Sequence, residues 1–118
     1  ATNQPVPLIW SNNQNLAYYL NGANRIIGTT TLPLNQWMHI AVSRAGGITR
    51  LFLNGTQEGS SYTDAAVYTS NANRPIIGVL ENINYASSTP GYIDDLRITK
   101  GVARYTSNFI PPGPAPTY

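Results

Sequence analysis

Apolar residues in this chain recur every second position far more than every third or fourth. The clearest case is "WMHIAVSRA" at 37–45, where Met38, Ile40 and Val42 fall on one side and Trp37, His39, Ala41 and Ser43 on the other. Side chains of a strand alternate between two faces, so this run predicts a half-buried strand. Gly46-Gly47 turns the chain, "ITRLFLNG" at 48–55 returns it, and Asn54-Gly55 turns it again into "TQEGSSY". Upstream, "LAYYL" at 16–20 and "RIIGTTT" at 25–31 flank "NGAN", and Asn-Gly between β-rich runs is the strongest short hairpin signal. "LIW" at 8–10 predicts a short strand, "PIIGVLE" at 75–81 another, and "GYIDDLRITK" at 91–100 a last long one. "GVARYTSNF" at 101–109 is the one stretch with room for a helical turn. No segment sustains a 3.6-residue period, and turn signals punctuate the chain throughout, which predicts an all-β sandwich or barrel. "ANRIIG" at 23–28 returns as "ANRPIIG" at 72–78, and "LNG" occurs at 20–22 and 53–55; the spacings share no period, so turn chemistry rather than duplication accounts for them.

Composition sharpens this. At 118 residues the chain is expected to be one domain or part of one. Only 10% of residues are charged, against about a quarter in ordinary soluble domains. Asn, Thr, Ser, Gly and Pro fill the difference, while the helix formers Glu and Lys are scarce. The net charge of +2 comes from scattered bases with no basic stripe, so nucleic acid is not an expected partner. With no cysteine, disulfides and thiolate chemistry are excluded. No apolar run is long enough to span a membrane as a helix. Without an initiator Met or a signal-like segment, the chain is expected to start at a processing point or to be a piece of something longer. Residues 1–7 and the proline-rich 111–118 are expected to be linkers around a sandwich at 8–110.

Asp94 and Asp95 take two of only five acidic positions. A glycosidase needs two carboxylates converging across one sugar bond. Neighbours on a strand diverge, so these two cannot form that pair. The pattern of "YIDDLRI" makes Asp94 the inward carboxylate, bonded to a neighbouring loop, and lets Asp95 pair with Arg97 or face solvent.

Two long motifs carry a family resemblance. "LNQWMHIAVSRAGGITRLFLNGTQEG" at 34–59 and "GYIDDLRITKGVARYTSNFIPP" at 91–112 resemble the central meander and closing strand of concanavalin A-like, laminin-G-type jelly rolls. The second motif is similar to modules of bacteriophage tail and virion proteins. The opening phrases of such modules, of the form D-G-x-x-D-Y-L and F-T-I-E-x-W, are absent, so the N-terminal strands of the family are expected to be missing. A sheet without those strands exposes edges, and edges recruit partners, so a homo-oligomer or another assembly chain is expected.

The resemblance implies a non-catalytic module, virion-borne or extracellular, that attaches to cell-surface glycan or decorates a tail fibre or particle. Two alternatives are a structural subunit that assembles through sheet edges and a glycoside hydrolase on the same fold. Aromatic rings with amide groups on loops suit sugar, which makes Tyr62, Tyr68, Asn71, Asn73, Arg74, Asn82 and Tyr85 candidate contacts for glycan or protein, with Trp10 and Asn84 beside them. Tyr and Asn also populate sandwich edges and turns for structural reasons alone. Calcium, which takes oxygen ligands, is the one candidate cofactor, with Asp64 and Asp94 as its ligands. No catalytic residue is assigned. Trp37, His39, Asn54, Gly55, Asp94, Asp95 and Arg97 are expected to be structural; His39 is the single histidine, expected to be packed and hydrogen-bonded.

Overall fold

A computed structural model describes residues 7–68, 77–78 and 90–113. Six strands follow in order: β1 (Leu8–Asn12), β2 (Asn15–Leu20), β3 (Ala23–Thr31), β4 (Ile40–Ala45), β5 (Ile48–Leu53) and β6 (Thr56–Thr63). They make two antiparallel three-stranded sheets, β1-β2-β3 and β4-β5-β6. No described residue is helical, so the fold is all-β, consistent with a sandwich of concanavalin A-like type. The expected strand at 75–81 lies outside the described residues except for its central pair.

Each sheet is a meander closed by two-residue turns. Asn21 and Gly22 have φ of 50° and 80°, and Asn54 and Gly55 have φ of 49° and 82°. Paired left-handed residues give the turn whose twist matches that of the flanking strands. At Gly55 a second constraint applies, because an added Cβ would run into the carbonyl oxygen of Phe109.

The core forms between the inner faces. Leu16, Tyr18 and Leu20 of β2 and Ile26 of β3 meet Leu51 and Leu53 of β5. The sheets come closest where β3 meets β6. A Cβ on Gly59, whose φ is 64°, would sit 2.5 Å from the Ile27 carbonyl oxygen. Glu58, only 4% exposed, ties the two strands together. Its Oε2 accepts the N–H groups of Thr29 at 2.8 Å and Thr30 at 3.0 Å, and its Oε1 accepts the Thr30 hydroxyl at 2.6 Å. Burial works against the charge, but these donors outweigh it and hold the carboxyl below its ordinary range.

A second layer covers the outer face of β5. Phe52 is fully buried there. Phe109 lies edge-on to it at 5.2 Å, and Tyr105 stacks on Phe109 at 3.5 Å. His39 packs edge-on against Phe109 at 5.6 Å and Tyr105 at 6.4 Å. Two hydrogen bonds fasten this C-terminal arm: Phe109 N–H to the Gly55 carbonyl at 2.9 Å, and Gln57 N–H to Asn108 Oδ1 at 2.9 Å.

Four expectations are corrected. The 91–100 segment is not a strand, and every residue in it is exposed. A strand exists only through a paired neighbour, and among the described residues none lies along this one. Asp94 is therefore exposed rather than inward, and accepts the N–H of Asp95, whose φ of 49° departs from extended chain. Residues 101–109 hold bends and no helical turn. β4 starts at Ile40, not Trp37: the His39 N–H goes to the Asn54 side chain at 2.8 Å, which replaces a ladder partner. The His39 backbone is bonded at both N–H and carbonyl, while its ring, packed against Phe109 and Tyr105, buries an Nδ1 without a hydrogen-bond partner.

Candidate functional site

The densest polar network lies at the end of the sandwich where the β4–β5 turn meets the chain leaving β6. Arg44 is the last inward-facing residue of β4, opposite Thr49 in the register. An inward arginine must be paired. Its Nη2 donates to Asp64 Oδ1 at 2.7 Å, to the Asp64 carbonyl at 3.2 Å and to the Ala66 carbonyl at 2.9 Å. The Asp64 N–H donates to the Gly47 carbonyl at 3.0 Å, which fixes the turn against the end of β6. Asp64 Oδ1 also accepts the Ala66 N–H at 3.0 Å, a local turn that curls the chain back.

That curl delivers Tyr68. Its hydroxyl donates to Asp64 Oδ2 at 2.7 Å and accepts from the Tyr18 hydroxyl at 3.2 Å. The Arg44 guanidinium lies 4.3 Å over its ring. The Tyr68 hydrogen bond, joined by Arg44 and the Ala66 N–H, holds the Asp64 carboxyl below its ordinary range. Burial, reinforced by the bond to Tyr68, pushes the Tyr18 hydroxyl well above the usual tyrosine range. Burial also raises Tyr68. Desolvation works against the charge on Arg44, but its bond to Asp64 and the nearby charges outweigh it and raise its pKa. An open hollow of about 730 Å³ borders the network, with Gly46, Gly47, Thr63, Ala65 and Val67 also in its walls.

Of the residues expected from sequence, Asp64 and Tyr68 come together here. Tyr62 does not: it lies on β6, under the Arg25 guanidinium at 5.4 Å. Trp10 lies on β1, where its Nε1 donates to Asn24 Oδ1 at 2.8 Å. Asn71, Asn73, Arg74, Asn82, Asn84 and Tyr85 lie outside the described residues. Among the described residues, no three His, Asp or Glu side chains are grouped to hold a metal ion. Both Asp64 oxygens already accept protein donors. Arg97 is exposed, and no helix of the described residues is long and apolar enough to cross a membrane. Sequence reasoning passed over Arg44 and Glu58. The signal for Arg44 was its alternation with Ile40 and Val42, which places a cation on the core side of a strand.

Residues 2–104 match the family Laminin_G_3, the concanavalin A-like lectin/glucanases superfamily. No curated protein and no solved structure matches the chain. The match takes in both sheets, the Glu58 tie between them and the Arg44–Asp64–Tyr68 network, and the chain thus belongs to the concanavalin A-like lectin/glucanase superfamily.

Proposed function

We propose that the chain is a non-catalytic binding module of a virion or extracellular surface, which takes glycan at the Tyr68 end of the sandwich. The observation that carries this reading is the closed network of Arg44, Asp64, Tyr68 and Tyr18 beside an open hollow. It holds an aromatic ring and several polar groups in one arrangement before any ligand arrives. Preorganised groups of this kind bind by contact, with less ordering cost on association. The superfamily fits a carbohydrate-binding or structural module. The low charge content and the likeness of the closing motif to virion modules support the proposed location.

Non-catalytic action is supported by how the buried Glu58 and the partly buried Asp64 are used. Glu58 and Asp64 each accept three hydrogen bonds that secure chain segments. A carboxylate held this way is a poor general acid, because the donors favour its charged form. The test is a glycan array with the purified chain, followed by titration of the best hit with wild type and Tyr68→Ala. The expected result is specific binding that Tyr68→Ala weakens about tenfold or more, with no new reducing ends and no effect of a calcium chelator. Released reducing ends would establish a hydrolase instead, and an array without hits would remove the glycan reading.

A further inference from the structure

Among the described residues, strand β4 is an edge: β5 lies on one side of it, and no strand lies on the other. The register pairs Ile40 with Leu53 and Val42 with Leu51, so these four share the inner face. Leu51 and Leu53 are buried there, yet Ile40 and Val42 remain 42% and 40% exposed. A bare edge with an uncovered apolar face is what an added strand would complete.

The same chain carries a segment suited to that place. In 92–98, Tyr92, Asp94, Leu96 and Ile98 would share one face of a strand. Tyr92 is 89% exposed, Leu96 60% and Ile98 79%. The segment belongs to no strand, while the arm that follows it is anchored by Tyr105 and Phe109.

One register satisfies both surfaces. Run antiparallel with Ile98 opposite Ile40, the segment sets Leu96 opposite Val42 and Asp94 opposite Arg44. Two apolar pairs and one pair of opposite charge fall on the inner face. A slip of two residues puts Asp94 against Val42. A parallel run with Leu96 opposite Ile40 sets Lys100 against Arg44. Arg44 uses only Nη2 on Asp64 and Ala66, and a guanidinium has donors for a second carboxylate. Asp95 would have to leave its left-handed φ of 49° for an extended one, the ordinary state of a non-glycine residue.

We infer that this face binds a second copy of the chain: segment 92–98 of each copy adds antiparallel to the β4 edge of the other. Among the described residues of a single copy, the edge and the segment stand open together. A two-fold pair closes both at once and leaves no free end to propagate. The proposal is independent of the glycan site.

Because the chain has no cysteine, a Val42→Cys/Leu96→Cys variant reports the contact directly. Light scattering of the wild type should give the mass of two chains, and the oxidised variant a dimer band on a non-reducing gel. Leu96→Asp/Ile98→Asp should weaken the dimer on the order of a hundredfold. At concentrations where the wild type is monomeric, it should match the wild type in circular dichroism and thermal midpoint, since both residues are exposed in a single copy. Three results would overturn the proposal: a wild type that stays monomeric at high concentration, a disulfide formed within one chain, or a dimer that survives the aspartates.

Discussion

The two faces of β5 are equally dry and are covered in different ways. On the inner face Leu51 is fully buried beneath β2 and β3, whose backbones are themselves paired in a sheet. On the outer face Phe52 is just as buried, beneath an arm with no regular structure. The inner cover satisfies its backbone through a ladder. The outer one is fastened by two hydrogen bonds and relies on large rings packed edge-on and stacked. Dry burial thus needs apolar area and some means of satisfying polar groups, and a strand is only one such means.

Deleting one side chain from each face tests that equivalence most severely. Phe52→Ala should lose about 4 kcal/mol and Leu51→Ala about 3 kcal/mol in urea unfolding, the range for fully buried truncations. A Phe52→Ala loss below about 1 kcal/mol would show that the arm is ornament and the inner core the only one.

A smaller effect separates the inner contact from the arm by its pH dependence. Glu58, held below its ordinary 4.5, stabilises the fold at pH above about 4.5, and this contribution is lost as pH falls through the lower folded value. Glu58→Gln should cost about 2 kcal/mol at neutral pH and flatten the acid limb of a stability profile. Asp64, also depressed, leaves part of that limb in place. An unchanged limb would deny that Glu58 ties β3 to β6 through its charge.

The smallest effect belongs to the arm itself. Phe109→Ala, at a partly buried ring, should cost about 1.5 kcal/mol and raise the unfolding rate while leaving the folding rate unchanged. A slower folding rate would place the arm in the nucleus.

Much of this is legible in the sequence. Asn21-Gly22, Gly46-Gly47 and Asn54-Gly55 mark three turns correctly, and alternation places Ile40 and Val42 on one face. The same alternation at 91–100 misleads. It states which face each residue takes once a neighbour is paired, and carries no information on whether a neighbour is there. The site is legible in part for a related reason. Asp64 and Tyr68 stand out by residue type, but Arg44 gains its role from a carboxylate twenty positions away. Tyr62 has the same chemistry as Tyr68 and lies elsewhere, because strand register decides its surroundings.

The contact of the arm with the Asn54-Gly55 turn also sets an order in time. The hairpins close over a few residues, whereas the bond from Gln57 to Asn108 spans 51 positions. Long loops close late, since their entropy is lost before any contact rewards it. The turn must exist before the arm can find it, so the outer layer is sealed after the meander has formed. Held by two hydrogen bonds and ring packing rather than by a ladder, this layer is expected to open before the paired sheets do.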